Sequence, residues 1–214
     1  MGMGKMDQTF TIMRARQFDR TARAFLDRHP GGLVVDIGCG LDTRFDRLDD
    51  GQMTWLGLDL PEVIEMRHRL LPDSGRCRTL AKSMLDFSWL DAVAATGRPV
   101  IFLAEGVFVY FDETRVRSVV SALVEHFPGG ELVFDSLTAF VLKMHKRHPL
   151  LKKTGVQVDW SVDDPQALES WGLRLLDKWG YFDQHEPRLG LANWMRHIPV
   201  MANSNFVLHY RLGD

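Results

Sequence analysis

Leu33-Val34-Val35-Asp36-Ile37-Gly38-Cys39-Gly40-Leu41-Asp42-Thr43-Arg44-Phe45 decides how this chain folds. Its first five residues are rich in β-branched side chains and stop at a glycine, which predicts a buried strand running into a tight turn. Gly38 and Gly40 let the backbone bend and approach a ligand closely at the carboxyl end of that strand. A dinucleotide-binding loop would carry a third glycine three positions beyond Gly40. Thr43 stands there, so the loop lacks part of the pattern that seats a pyrophosphate.

Three further apolar runs end in an acid. Trp55-Leu56-Gly57-Leu58 ends at Asp59, Val100-Ile101-Phe102-Leu103-Ala104 at Glu105, and Glu131-Leu132-Val133-Phe134 at Asp135. None alternates cleanly, as expected of parallel strands covered on both faces. Amphipathic stretches lie between them. Phe18, Ala22, Phe25 and Leu26 share a face before the first strand. Pro61 opens a helix carrying Val63, Ile64, Arg67 and Leu70, and Asp112 caps one with a stripe from Val116 to Phe127. This alternation predicts an α/β chain built on an open sheet with right-handed crossovers. Leu137, Phe140, Val141 and Met144 predict a helix ending near His148-Pro149. Asp164-Pro165 predicts another that carries Leu168, Trp171 and Leu175, and residues 206–211 predict a closing strand.

Composition narrows the function. With 214 residues, 45% of them hydrophobic, the chain suits a single domain with one sizeable core. Lysine and arginine total 26 against 28 acids, a net charge of -2 that disfavours non-specific nucleic-acid binding. Cys39 and Cys77 cannot make a disulfide framework and fit a reducing cytoplasm. The apolar stretches at 100–104 and 107–111 fall far below the ~20 residues of a membrane span. Met1-Gly2-Met3-Gly4-Lys5 lacks the apolar run of a signal peptide. A cytoplasmic protein with no membrane or nucleic-acid partner is expected.

Asp59 follows Gly40 by 19 residues and is placed to accept both ribose hydroxyls of a nucleoside. A loop that wants a nucleoside but not a diphosphate fits S-adenosylmethionine. Asp86, with Phe87 and Leu85 as apolar cover, can accept from an adenine amino group, and Glu105 from a ligand ammonium. Each acid alone is as well explained as a cap or loop residue. Together at successive strand ends they predict one crevice.

Residues 34–45 resemble the first motif of the leucine carboxyl methyltransferase family, and more narrowly its tetracenomycin polyketide O-methyltransferase-like branch. The resemblance continues through Asp59-Leu60-Pro61-Glu62-Val63, Ser83-Met84-Leu85-Asp86-Phe87 and Ala104-Glu105-Gly106-Val107-Phe108-Val109-Tyr110-Phe111, and spans roughly residues 14 to 213. It implies a Rossmann-like class I methyltransferase fold: a mostly parallel central sheet, an antiparallel C-terminal strand and helices on both faces. It also implies a division into a helical segment (1–30), a cofactor-binding core (31–135), a variable acceptor-side region (136–200) and a closing strand (201–214).

The implied cofactor is S-adenosylmethionine, leaving as S-adenosylhomocysteine. Gly38 would approach its methionine part, Asp59 the ribose, Asp86 with Phe87 the adenine, and Glu105 the amino group. Gly40 and Leu60 complete the set. An arginine upstream of the first strand would take the carboxylate; Arg16 is the first choice and Arg14 the second. Arg44 reads as a structural ion-pair partner, and Asp36 stands where this branch often has asparagine. The few residues before Arg16 imply a lid that is short, missing or supplied by another subunit, so a homodimer stays open.

The expected acceptor is a small molecule, methylated on a carboxylate or hydroxyl oxygen, ahead of a protein carboxyl terminus, for which no docking element is seen. Tyr110 is a candidate to face it and equally a helix-entry aromatic. His145, in the basic run 145–148 with Lys152 and Lys153, and Arg196, beside Trp194, are candidates to recognise an acidic acceptor. Helix-end and surface charges are the plainer readings of both. Trp160, Trp171, Trp179 and Trp194 suit core packing or an aromatic pocket. Neither a dedicated base nor a metal site is expected. The rivals are a nicotinamide-dependent oxidoreductase, which Thr43 disfavours, and a non-catalytic cofactor-binding partner subunit.

Overall fold

The structure, a computed structural model, describes residues 5–147 and 158–213. Seven strands form one sheet in the order β3-β2-β1-β4-β5-β7-β6. They are β1 (Leu33–Ile37), β2 (Thr54–Asp59), β3 (Cys77–Ala81), β4 (Val100–Ala104), β5 (Glu131–Leu137), β6 (Leu173–Gly180) and β7 (Asn205–Leu212). The first five pair in parallel, and β7 pairs antiparallel with both β5 and β6. Parallel strands end on a common edge, so Asp59, Glu105 and the Gly38 turn all reach the same side of the sheet.

Each central strand divides its side chains between two layers, because successive residues point to opposite faces. Leu33, Val35 and Ile37 of β1, with Phe102 and Phe134, pack beneath the helices α4 (Trp89–Ala94) and α5 (Glu113–His126) through Trp89, Val116, Val119 and Leu123. Val34, Ile101, Leu103 and Val133 face the other way, onto Met13, Phe18, Ala22 and Phe25 of α1 (Lys5–Arg28). Each such buried side chain contributes roughly 1.5–3 kcal/mol. The short α2 (Arg44–Leu48) follows the glycine turn, Pro61 starts α3 (Pro61–Leu70), and Asp112 Oδ1 accepts from the Arg115 amide at 2.9 Å to cap α5.

The last third departs from the sequence reading. The stretch after Asp164 is a short 3-10 helix, Pro165–Trp171, that stops at Gly172 in the left-handed region (φ 82°). Leu175 therefore belongs to β6 rather than to a helix. Two antiparallel strands close the sheet where one was expected. β3 and β6 are edge strands whose partly exposed side chains give little apolar signal. Leu137 falls in β5, and α6 (Ala139–Arg147) begins two residues later. Trp160 is a core residue packed on Phe108 and Phe134, with Trp171 stacked on it, whereas Trp194 is exposed.

Candidate active site

The turn after β1 is built around Gly38, whose φ is +72°; a Cβ there would collide with Val107 Cγ2. Its amide donates to Leu58 O at 2.7 Å, holding the turn on the end of β2. The Gly40 amide donates to Asp59 Oδ2 and the Leu60 amide to Asp59 Oδ1, both at 2.8 Å. A carboxylate has about four lone-pair positions, so each oxygen keeps capacity for a ligand hydroxyl. Arg67, buried in α3, donates to Gly40 O (3.0 Å) and Asp42 O (2.7 Å), fixing the loop from beneath.

A second group gathers on the α1 face. Asp36 follows Val34 by two residues, Glu105 follows Leu103 by two, and Asp135 follows Val133 by two, so strand periodicity turns all three towards α1. Arg44, 1% exposed, is the hub. It donates to Asp19 Oδ1 (2.6 Å) and to Glu105 Oε2, and pairs with Asp42 (2.8 Å) and, more distantly, Asp36 (4.0 Å). Arg14 donates to Glu105 Oε1 (3.0 Å) and Asp135 Oδ2 (2.9 Å). Burial opposes the charge on Arg14, but Asp135, neighbouring Tyr181 and Glu105 outweigh it and raise its pKa. Burial pushes Asp36 up to about 8, more than Arg44 pulls it down. Burial thus favours the uncharged form of Asp36.

Two cavities meet at Gly38. One, of about 260 Å³, is lined by Leu58, Asp59, Leu60, Met84, Val107, Tyr110 and Phe111 among others. The other, of about 210 Å³, is lined by Ala15, Asp36, Cys39, Asp42, Arg44 and Glu105. The first joins apolar walls to one carboxylate, as a nucleoside requires. The second holds the unpartnered buried oxygen Asp36 Oδ2 beside the Glu105–arginine cluster, as a polar amino-acid tail requires. The residues fit S-adenosylmethionine.

Gly38, Asp59, Leu60, Glu105 and Tyr110 line these cavities, and Gly40 joins them through Asp59. Asp86 and Phe87 lie on the adjoining loop, exposed and outside both linings. Asp86 Oδ1 accepts from the Ser88 hydroxyl at 2.6 Å, which lowers the Asp86 pKa. Arg16 is exposed, and it is Arg14, the second choice, that reaches Glu105. Two residues along a helix is about 200° around its axis, so both cannot face the sheet. Arg196 sits half-buried in the 3-10 stretch Pro187–His197 and lines neither cavity. The His145 side chain and residues 148–157 lie outside the described part. Cys39 is buried, with burial raising its pKa. The sequence reading gave Asp135 and Tyr181 no role; the parity of Asp135 with Val133 was the available signal for the first.

The profile of the leucine carboxyl methyltransferase family matches residues 3–124. A polyketide O-methyltransferase of tetracenomycin synthesis, TcmP of Streptomyces glaucescens, is 34% identical over 95% of this chain and 78% of its own. The chain belongs to the leucine carboxyl methyltransferase family. It is an S-adenosylmethionine-dependent methyltransferase, which sets aside the nicotinamide oxidoreductase. An S-adenosyl-L-methionine-dependent methyltransferase of Gibberella zeae, dpfgK, is 30% identical over 94% of this chain and 72% of its own. Among solved structures, a putative methyltransferase from Thermobifida fusca superposes with a TM-score of 0.67 at 17% identity, covering 96% of this chain and 82% of that one. The N-methyltransferase NodS of Bradyrhizobium japonicum with S-adenosyl-L-homocysteine gives 0.57 at 15% identity, covering 94% and 88%. These likenesses identify the fold as that of class I methyltransferases. Among the described residues, no helix is long and apolar enough to cross a membrane.

Proposed function

We propose that this chain methylates an oxygen, carboxylate or hydroxyl, of a small polyketide-like molecule. The observation that carries the reading is the meeting at Gly38 of an apolar, Asp59-bearing cavity with a polar one bearing Glu105, in a chain 34% identical to a polyketide O-methyltransferase. When bound, the cofactor supplies an electrophilic methyl group on a sulfonium whose departure as a neutral thioether is easy. The protein's work is therefore alignment and exclusion of water. Asp59 holds the ribose hydroxyls, and Asp86 with Phe87 closes the adenine side. Glu105 takes the ammonium and Arg14 the carboxylate. Tyr110, beside the cavity mouth, faces the acceptor. A carboxylate acceptor needs no base at pH 7, whereas a hydroxyl acceptor does.

Calorimetry with S-adenosylhomocysteine tests the binding half: micromolar affinity is expected, and its absence refutes the site. Methyl-labelled cofactor offered with hydroxylated and carboxylated aromatic acceptors tests the catalytic half. Label in an ester or ether product supports O-methylation. Tight cofactor binding with no labelled product from any acceptor would instead identify a non-catalytic partner subunit.

A further inference from the structure

We propose that Asp135 is a positioning residue of the cofactor site, fixing Arg14 so that the site selects ligands with a zwitterionic amino-acid end. The inference rests on the reading above, in which Glu105 and Arg14 receive that end. Arg14 stands on α1, outside the sheet, and an arginine side chain has many rotamers. Three anchors remove that freedom. Asp135 Oδ2 accepts from Arg14 Nη1 at 2.9 Å and Glu105 Oε1 accepts from Nε at 3.0 Å, while the buried phenol of Tyr181 borders the same guanidinium.

Asp135 does a second thing at once. Its Oδ1 accepts from the Gly106 amide at 2.5 Å. Gly106 follows Glu105 directly, has φ +66°, and lies against Arg14: a Cβ there would come within 3.2 Å of Arg14 Nη2. One carboxylate on β5 therefore sets both the turn that carries Glu105 and the cation that must stand beside it. The two carboxylates take two of the guanidinium's five N–H groups and Tyr181 no more than one, so N–H groups remain for a ligand carboxylate. Burial of Asp135 (7% exposed) strengthens this hold relative to a surface pair.

The test compares two ligands that share the adenosyl thioether but differ in the tail: S-adenosylhomocysteine, with the amino acid, and 5′-methylthioadenosine, without it. In Asp135→Asn the amide oxygen can still accept from Gly106, but its NH2 group is set against Arg14. We expect the Kd for S-adenosylhomocysteine to rise about tenfold, the scale of one charge-assisted hydrogen bond, with that for 5′-methylthioadenosine unchanged. Equal losses for both ligands, or none, overturn the proposal. Tyr181→Phe is the second variant should the first not fold. A loss of about threefold confined to S-adenosylhomocysteine is expected there, and a non-selective result again overturns it. A wild-type protein that binds neither ligand refutes the cofactor site itself, and the proposal with it, a result distinct from selective failure in the variants.

Discussion

Gly40 donates its amide to Asp59 Oδ2 at 2.8 Å, so the glycine turn after β1 and the acid at the end of β2 form one unit. Asp59 orders the loop and offers the ligand-facing carboxylate with the same group. Asp59→Ala should weaken S-adenosylhomocysteine binding by roughly 1.5–3 kcal/mol, the range of charge-assisted hydrogen bonds. Calorimetry showing unchanged affinity would place the ribose elsewhere.

Asp36 carries a pH signature of its own. Burial holds its pKa up at about 8, well above the ordinary carboxylate range. Its contribution to stability is fully present below about pH 4 and is lost as pH rises towards 8, because only the unfolded chain ionises in between. Asp36→Asn should therefore stabilise the protein at pH 7 by about 1 kcal/mol or more, with no gain at pH 3.5. Urea titrations at the two pH values check this. A carboxyl carbon resonance of Asp36 that is already ionised at pH 6 would contradict it.

Glu131 behaves in the opposite sense. Burial pushes its pKa up, but hydrogen bonds from His209 (2.8 Å) and Arg28 (2.8 and 3.0 Å) prevail and hold it at about 2. Its stabilisation is present above about pH 4.5 and is lost as pH falls towards 2. It is worth about 2–3 kcal/mol at neutral pH. Glu131→Gln should flatten the acid limb of the stability curve; an unchanged limb would show that other carboxylates govern it.

Arg44 joins α1, the glycine loop and the end of β4 through Asp19, Asp42 and Glu105. Removing it leaves those acids without their buried partner. Arg44→Met should cost about 3–5 kcal/mol in urea denaturation, the scale for breaking one side of a buried ion pair. Arg44→Lys keeps the charge and loses the fork, so it should fall between the two. Equal stability of all three proteins would refute the hub.

Much of this was legible in the chain. A strand of β-branched residues that stops at a glycine is a local signal, and so is an acid that ends an apolar run. Gly38, Asp59 and Glu105 could thus be placed before any contact was known. Asp86 could be placed on its loop but not aimed, because a loop side chain has no periodicity to orient it. β6 was hidden for a related reason: an edge strand with mostly exposed or half-buried side chains shows little apolar pattern, and Asp164-Pro165 starts a 3-10 turn as readily as a helix.

The sequence by itself determined the parallel core of the sheet, the glycine turn after β1 and the common edge at which its acids end. Those features follow from backbone periods of two and 3.6 residues and from glycine's conformational range, all set within a few neighbours. Only the tertiary structure decided that Arg14 and not Arg16 meets Glu105, and that Asp135 and Tyr181 close around it. Arg14 pairs with partners 91 and 121 residues away. Such a pairing depends on how α1 is rotated against the sheet, and the packing of Met13, Phe18, Ala22 and Phe25 on strands far along the chain fixes that rotation.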